Sequence, residues 1–258
     1  MAMGVVTQEA PDEAPFGFRE DHVEADGFGV RVVEKGSGEP LVFFHTARGI
    51  RLTPAHARLA ETRRVIALEA PGFGRSPVNT RTRDLPELAR TMLAAASALS
   101  LRRFDLMGHS FGAKLALWAT IQAPEAVRAL VLVAPSAIRP EDWALPAVQE
   151  DVDPEIGTKQ AALFNRLIGP PVDEALEGRM GEIAAPALAL FGTRDELIPT
   201  TLARRYRQLM PKANVMFVYD AGHAITEDRP EAAASVIEDF LTEPEGFLVN
   251  RQSGLLAE

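Results

Sequence analysis

The chain of 258 residues has no cysteine, only two tyrosines and two tryptophans, and no long apolar run free of charge. Without a thiol, disulfides, thiolate metal sites and cysteine nucleophiles are excluded, and the fold must stand on packing alone. No stretch reaches the roughly 20 uninterrupted apolar residues that cross a bilayer, so no membrane span is expected. Met1–Pro15 carries three acids and two prolines, with no basic flank ahead of an apolar run. It does not read as a secretory signal, and a cytoplasmic location is the expectation.

Clustered positive charge is scarce too. Lys and Arg number 27 against 36 Asp and Glu, for a net charge of −9. A polyanion meets repulsion over most of such a surface, so nucleic acid is not an expected partner. The densest basic spots, Arg63-Arg64 and Arg204-Arg205-Tyr206-Arg207, read as solvated faces. An H-E-x-x-H string is absent, and no comparable ligand cluster replaces it, so no metal is expected. Gly36-Ser37-Gly38 continues as Glu39-Pro40 rather than opening a helix, which removes the dinucleotide fingerprint. No cofactor is called for.

What remains is an ordinary globular composition, 47% apolar and 24% charged, at a length that one domain accommodates. Leu41–Phe44, Val65–Leu68 and Ala129–Val133 are near-continuous apolar runs, as strands buried on both faces should be. Phe104–Met107, Ala187–Phe191 and Asn214–Tyr219 continue the rhythm, and longer amphipathic stretches such as Leu85–Leu99 and Glu231–Leu241 separate such runs. That alternation predicts parallel strands joined by crossover helices. Residues 16–35 alternate instead as an antiparallel hairpin turning at Asp26-Gly27. The expected fold is therefore α/β: a mostly parallel, doubly wound sheet of about eight strands with an N-terminal antiparallel hairpin and helices on both faces.

Residues 137–182 break the rhythm with five prolines and one amphipathic piece, Ala161–Ile168. Structureless loops become uncommon beyond about 12–15 residues, so this interval reads as a short inserted lid. The core is then 16–136 with 183–242, residues 1–15 are a flexible lead-in, and 243–258 form a C-terminal tail. Phe247, Leu248, Val249, Leu255 and Leu256 make the tail too apolar for simple disorder, which leaves open docking on its own domain or in a homo-oligomer.

Chemistry concentrates at Gly108-His109-Ser110-Phe111-Gly112, a G-x-S-x-G string directly after a strand and directly before a helix, Ala113–Ile121. Glycines on either side suit a sharp, strained turn that exposes the serine, and the helix start favours a negative oxygen beside it. A serine hydroxyl needs a base, and the base needs a group to fix its tautomer. Two later loops supply both: Gly192-Thr193-Arg194-Asp195-Glu196 after one strand, and Asp220-Ala221-Gly222-His223-Ala224-Ile225 after the next. His223 is the candidate base, since His22 and His56 read as surface residues and His109 neighbours the serine. Asp195, Glu196, Asp220 and Asp228 all qualify by position as the acid.

The order Ser, Asp, His, each after a strand, together with Pro71-Gly72-Phe73-Gly74-Arg75-Ser76 and the closing helix, resembles the α/β-hydrolase family over roughly residues 16–241. The resemblance implies Ser110 as nucleophile, His223 as base and Asp195 as the orienting acid, with Glu141 or Asp142 at the family's alternative acid position. It also implies an oxyanion hole from the backbone N–H groups of Phe111 and Ala47. The loop His45-Thr46-Ala47-Arg48-Gly49 departs from the usual His-Gly, which puts the hole's geometry in question if relatives use positive φ there. His45, Thr46, Trp143, Phe164 and Ile225 are candidate pocket residues, and Arg48 is either solvated or a ligand for an acidic group. The expected activity is hydrolysis of an ester-like bond in a small or medium apolar substrate. The alternatives are a carbon–carbon bond hydrolase of the same fold and a non-catalytic ligand-binding homologue.

Overall fold

The computed structural model describes residues 14–140, Trp143 and residues 154–247. The lead-in expected for 1–15 falls almost wholly outside these residues, as do Glu141, Asp142 and the tail beyond Phe247.

Eight strands form one sheet: β1 (Arg19–Ala25), β2 (Phe28–Lys35), β3 (Pro40–Phe44), β4 (Arg64–Leu68), β5 (Phe104–His109), β6 (Val127–Val133), β7 (Ala187–Gly192) and β8 (Ala213–Val218). Their spatial order is β1-β2-β4-β3-β5-β6-β7-β8. β1 pairs antiparallel with β2, and β2 antiparallel with β4, whereas every pairing from β4 to β8 is parallel. Asp26, at φ 50, and Gly27, at φ 71, make the tight turn of the hairpin.

The helices are α1 (Pro54–Leu59), α2 (Leu85–Ala98), α3 (Phe111–Gln122), α4 (Pro154–Leu167), α5 (Glu174–Met180), α6 (Ala203–Leu209), α7 (Ile225–Asp228) and α8 (Pro230–Thr242). Because side chains alternate along a strand, one sheet builds two cores. Val42, Phe44, Ile66, Leu130 and Leu132 face one layer with residues of α2, α3 and α6. Leu41, Phe43, Val65, Val131 and Val133 face the other with residues of α1 and α8. α3 carries one charged residue, Lys114, which is paired with Asp173, and is buried from Phe111 to Thr120, so it is the central helix of its layer.

Between β6 and β7 the chain makes α4 and α5. Leu163, Phe164, Leu167 and Ile168 of this segment are buried in the same core as α3. Gln160 of α4 accepts from Gly74 N–H at 2.5 Å, and Arg166 donates to the Asn79 carbonyl, also at 2.5 Å, which ties the helix to the loop after β4. α4 begins seven residues before the amphipathic piece that marked it in sequence, its first residue being proline, which suits a helix start.

Three residues read as surface are buried. His56 is buried, because its Nδ1 meets the N–H and hydroxyl of Thr53 in a capping box at the start of α1 and its ring packs 4.4 Å from Phe43. Arg63 is buried against Asp105 of β5 at 2.9 Å, and Tyr206 is fully buried, donating its hydroxyl to the Pro135 carbonyl. Arg204, Arg205 and Arg207 around that tyrosine do face solvent.

Candidate active site

Ser110 stands at the junction of β5 and α3 with φ 55 and ψ −113, a conformation that L residues rarely adopt. The neighbouring glycines permit it. A Cβ on Gly108 meets the Gly112 carbonyl oxygen at 2.3 Å, and one on Gly112 meets the Phe44 carbonyl oxygen at 2.1 Å. Both positions are therefore closed to any side chain, which lets α3 start against the ends of β3 and β5. Ser110 N–H donates to the Val133 carbonyl at 2.8 Å, and its own carbonyl accepts from Ser136 at 3.3 Å, so the end of β6 braces the turn.

His223 Nε2 lies 2.8 Å from Ser110 Oγ, and His223 Nδ1 lies 2.9 Å from Asp195 Oδ2. The carboxylate accepts only, so Nδ1 carries the ring proton and Nε2 turns its lone pair to the serine. Asp195 Oδ1 accepts from the N–H groups of Leu197 and Ile198, both at 2.9 Å, which leaves the buried carboxylate little freedom. The other candidate acids are engaged elsewhere: Asp220 with Arg194 and Arg229, Asp228 with Gly222 N–H. Glu196 is exposed.

His109 supports the base from below. Its Nε2 is 2.8 Å from the His223 carbonyl, so that nitrogen is the donor, and burial with the nearby His223 pushes the ring down to about 3. It stays neutral, and it holds the backbone of His223 rather than joining the proton transfer.

The loop after β3 is ordered without the usual glycine. Ala70 N–H donates to His45 Nε2 at 2.9 Å, so His45 carries its proton on Nδ1 and donates it to the Thr46 carbonyl at 2.6 Å. Burial lowers the His45 pKa, which keeps that tautomer neutral. The Thr46 carbonyl also accepts from Gly49 N–H at 3.1 Å, and Thr46 Oγ1 accepts from Arg48 N–H at 3.2 Å. In a trans peptide the C=O and the next N–H point in opposite directions. Pulling the Thr46 carbonyl toward the buried imidazole therefore turns Ala47 N–H outward. The positive-φ residue of this loop is Gly49, at φ 83, rather than position 46.

A cavity of about 190 Å³ opens over Ser110. Of the pocket candidates, Thr46, Trp143 and Phe164 are among its lining residues, together with Ala47, Leu197, His109 and His223. Two expected lining residues do not: His45 lies beneath the loop with both ring nitrogens bonded, and Ile225 is fully buried in the core with α8. Arg51 and Glu227 line the cavity and were not singled out by the sequence, since neither belongs to a motif. Rings of His45, Phe73, Phe111, Phe164 and Trp143 form a chain of contacts with centroids 5.2–6.1 Å apart, joining the loop after β3 to the segment after β6. Among the described residues no three His, Asp or Glu side chains gather where a metal ion would sit, and no helix is long and apolar enough to cross a membrane.

A sequence profile of the α/β hydrolase fold matches residues 39–155, and a profile of TAP-like proteins matches residues 165–246. The chain belongs to the α/β-hydrolase fold family. As an α/β hydrolase it is 32% identical over 246 residues to the dihydrolipoyllysine-residue acetyltransferase component of an acetoin-cleaving system from Pseudomonas putida, a match covering 79% of this chain and 63% of that protein. It is 25% identical over 281 residues to a 2-hydroxymuconate semialdehyde hydrolase, also from Pseudomonas putida, covering 92% and 99%. The fold superposes on a meta-cleavage product hydrolase of Pseudomonas fluorescens with a TM-score of 0.74 at 17% identity, covering 86% of this chain and 97% of the other. A carboxylesterase of Bacillus subtilis gives 0.68 at 18%, covering 88% and 92%. Hydrolase is the activity class that the family match and the relatives named as hydrolases support.

Proposed function

We propose that this α/β hydrolase is a serine hydrolase that cleaves an ester-like bond of a small or medium substrate through an acyl-enzyme. The observation that carries the reading is the unbroken line from Ser110 Oγ through His223 to Asp195, with both distances under 3 Å.

In this reading His223 Nε2 takes the Ser110 proton as Oγ attacks the carbonyl carbon, and Asp195 stabilises the imidazolium that results. The negative oxygen is held by Phe111 N–H, at the first turn of α3, and by Ala47 N–H. Collapse breaks the bond to the alcohol oxygen, which leaves with the proton from His223. Water, deprotonated by the same nitrogen, then attacks the acyl carbon and releases the acid and Ser110. Trp143 and Phe164, from the proposed lid segment, wall the cavity. The cavity's small volume favours a short acyl chain.

A second reading rests on the relatives matched over nearly their full length: cleavage of a carbon–carbon bond by the same three residues. Short nitrophenyl esters and a small panel of 1,3-diketones separate the two. The proposal expects ester turnover by the wild type and its loss in Ser110→Ala. Diketone turnover without ester turnover selects the second reading, and ester turnover that survives in Ser110→Ala refutes the nucleophile.

A further inference from the structure

The loop after β3 places two arginines, Arg48 and Arg51, among the residues lining the cavity that holds Ser110, where among the described residues the one carboxylate is that of Glu227; Arg48 and Glu227 are both exposed at its mouth. Among the described residues that line the cavity, two arginines stand against one carboxylate, on a chain whose net charge is −9. Charge focused in a small cleft with apolar walls acts more strongly on a ligand than the same charge spread on a surface.

Arg48 is the guanidinium that is left to a ligand. Arg51 is engaged by another group of the protein, whereas the Arg48 side chain makes no hydrogen bond or ion pair with any of the described residues. Its backbone is nonetheless fixed. Arg48 sits in the turn closed by the Gly49 N–H to Thr46 carbonyl bond, and its own N–H is held by Thr46 Oγ1. A guanidinium cannot lose its proton and offers a fork of donors suited to a carboxylate. Arg48 also follows Ala47 directly, so its Cα is about 3.8 Å from the Cα of the residue that carries the proposed oxyanion donor.

We infer that Arg48 forms a carboxylate subsite, and that the substrate of this enzyme is a short ester-like compound bearing an anionic carboxylate a few carbons from the scissile carbonyl. The apolar walls given by Phe43, Trp143, Phe164 and Leu197 receive the intervening methylenes. Glu227 sharpens the selection, since it disfavours a second anion in the same cavity. The inference rests on the serine-hydrolase reading for its chemistry, but not for its binding arm.

The kinetic arm compares mono-nitrophenyl glutarate with nitrophenyl valerate, which match in length and differ in the terminal carboxylate. Wild type should prefer the half-ester in kcat/KM, and Arg48→Gln should lower that preference by about tenfold, mainly through KM, with Arg48→Lys restoring part of it. Raising the salt should erode the wild-type preference. The binding arm measures monomethyl glutarate on Ser110→Ala and on Ser110→Ala/Arg48→Gln by calorimetry, where no turnover is required. About tenfold weaker binding in the double variant supports the subsite. Equal affinity in the two proteins, or a half-ester preference that Arg48→Gln leaves intact, overturns it. A chain that binds monomethyl glutarate through Arg48 yet hydrolyses neither ester keeps the subsite and defeats the serine-hydrolase reading, so the two failures are distinguishable.

Discussion

Replacing Gly112 by alanine sets a favourable local term against an unfavourable packing term, and the structure decides which wins. Alanine in a helix interior is worth up to about 1 kcal/mol over glycine. At Gly112, however, the new Cβ would lie 2.1 Å from the Phe44 carbonyl oxygen and 2.5 Å from that of His45, both backbone atoms of the strand end and loop. Ordinary contact is near 3.5 Å, so α3 must retreat on the order of 1 Å. Overpacking of this kind costs about 1–3 kcal/mol, at the upper end where backbone must move. A net loss of about 2 kcal/mol is the expected result. The same retreat separates the proposed oxyanion donors, Phe111 N–H and Ala47 N–H, and loss of one such donor costs roughly 10²–10³ in kcat. Gly178 in α5 supplies the control, since a Cβ there meets nothing within 4 Å. Gly178→Ala should gain roughly 0.5–1 kcal/mol without touching activity. Urea denaturation and ester kinetics on the two variants test the argument. A Gly112→Ala protein as stable as wild type, or one that keeps full kcat, would show that α3 is not pressed against the loop as described.

Other consequences are equally direct. Burial pushes His56 down to about 4 and His109 to about 3, while both titrate near 6.5 once unfolded, so the unfolded chain binds more protons in acid. Stability is therefore fully present above pH 6.5 and is lost as pH falls toward 4, by about 2 kcal/mol per histidine at pH 5; an unfolding midpoint that is flat from pH 7 to pH 5 contradicts this. Asp195→Asn keeps the hydrogen-bond geometry but lets His223 take the wrong tautomer, and kcat should fall by roughly 10³–10⁴ with little change in melting temperature. His45→Ala should release the Thr46 carbonyl and disorder the oxyanion loop, lowering kcat by roughly 10² while KM changes little; a purely structural histidine would change stability and spare that ratio.

The sheet was largely legible because buried parallel strands require continuous apolar runs, and Leu41–Phe44, Val65–Leu68 and Ala129–Val133 are such runs. The hairpin turn was legible in Asp26-Gly27, since few pairs accept positive φ at both positions. The order of strands was not, because nothing local in β3 records that it lies between β4 and β5. In the site, Ser110 is proposed from its motif and His223 and Asp195 from strand order and the family resemblance; the geometry adds that Asp195 lies beside His223 whereas Asp220 and Asp228 engage other groups, partners that spacing does not reveal. His56 was misread as exposed, although Thr53-Pro54 ahead of it is a helix-start signal that places the histidine on the first turn. Arg63 gave no such signal, because its partner Asp105 lies 42 residues away. At Thr46 the sequence gives no hint that the buried imidazole of His45 binds the carbonyl and that the loop's positive φ falls at Gly49.

The central claim is that Ser110 is a nucleophile activated by His223, and covalent labelling with a fluorophosphonate, mapped by peptide mass spectrometry, tests it most directly. The account predicts a single adduct on the peptide containing Ser110, absent in Ser110→Ala and slowed at least a hundredfold in His223→Ala. An adduct on another residue, or labelling that proceeds at the wild-type rate without His223, would contradict it.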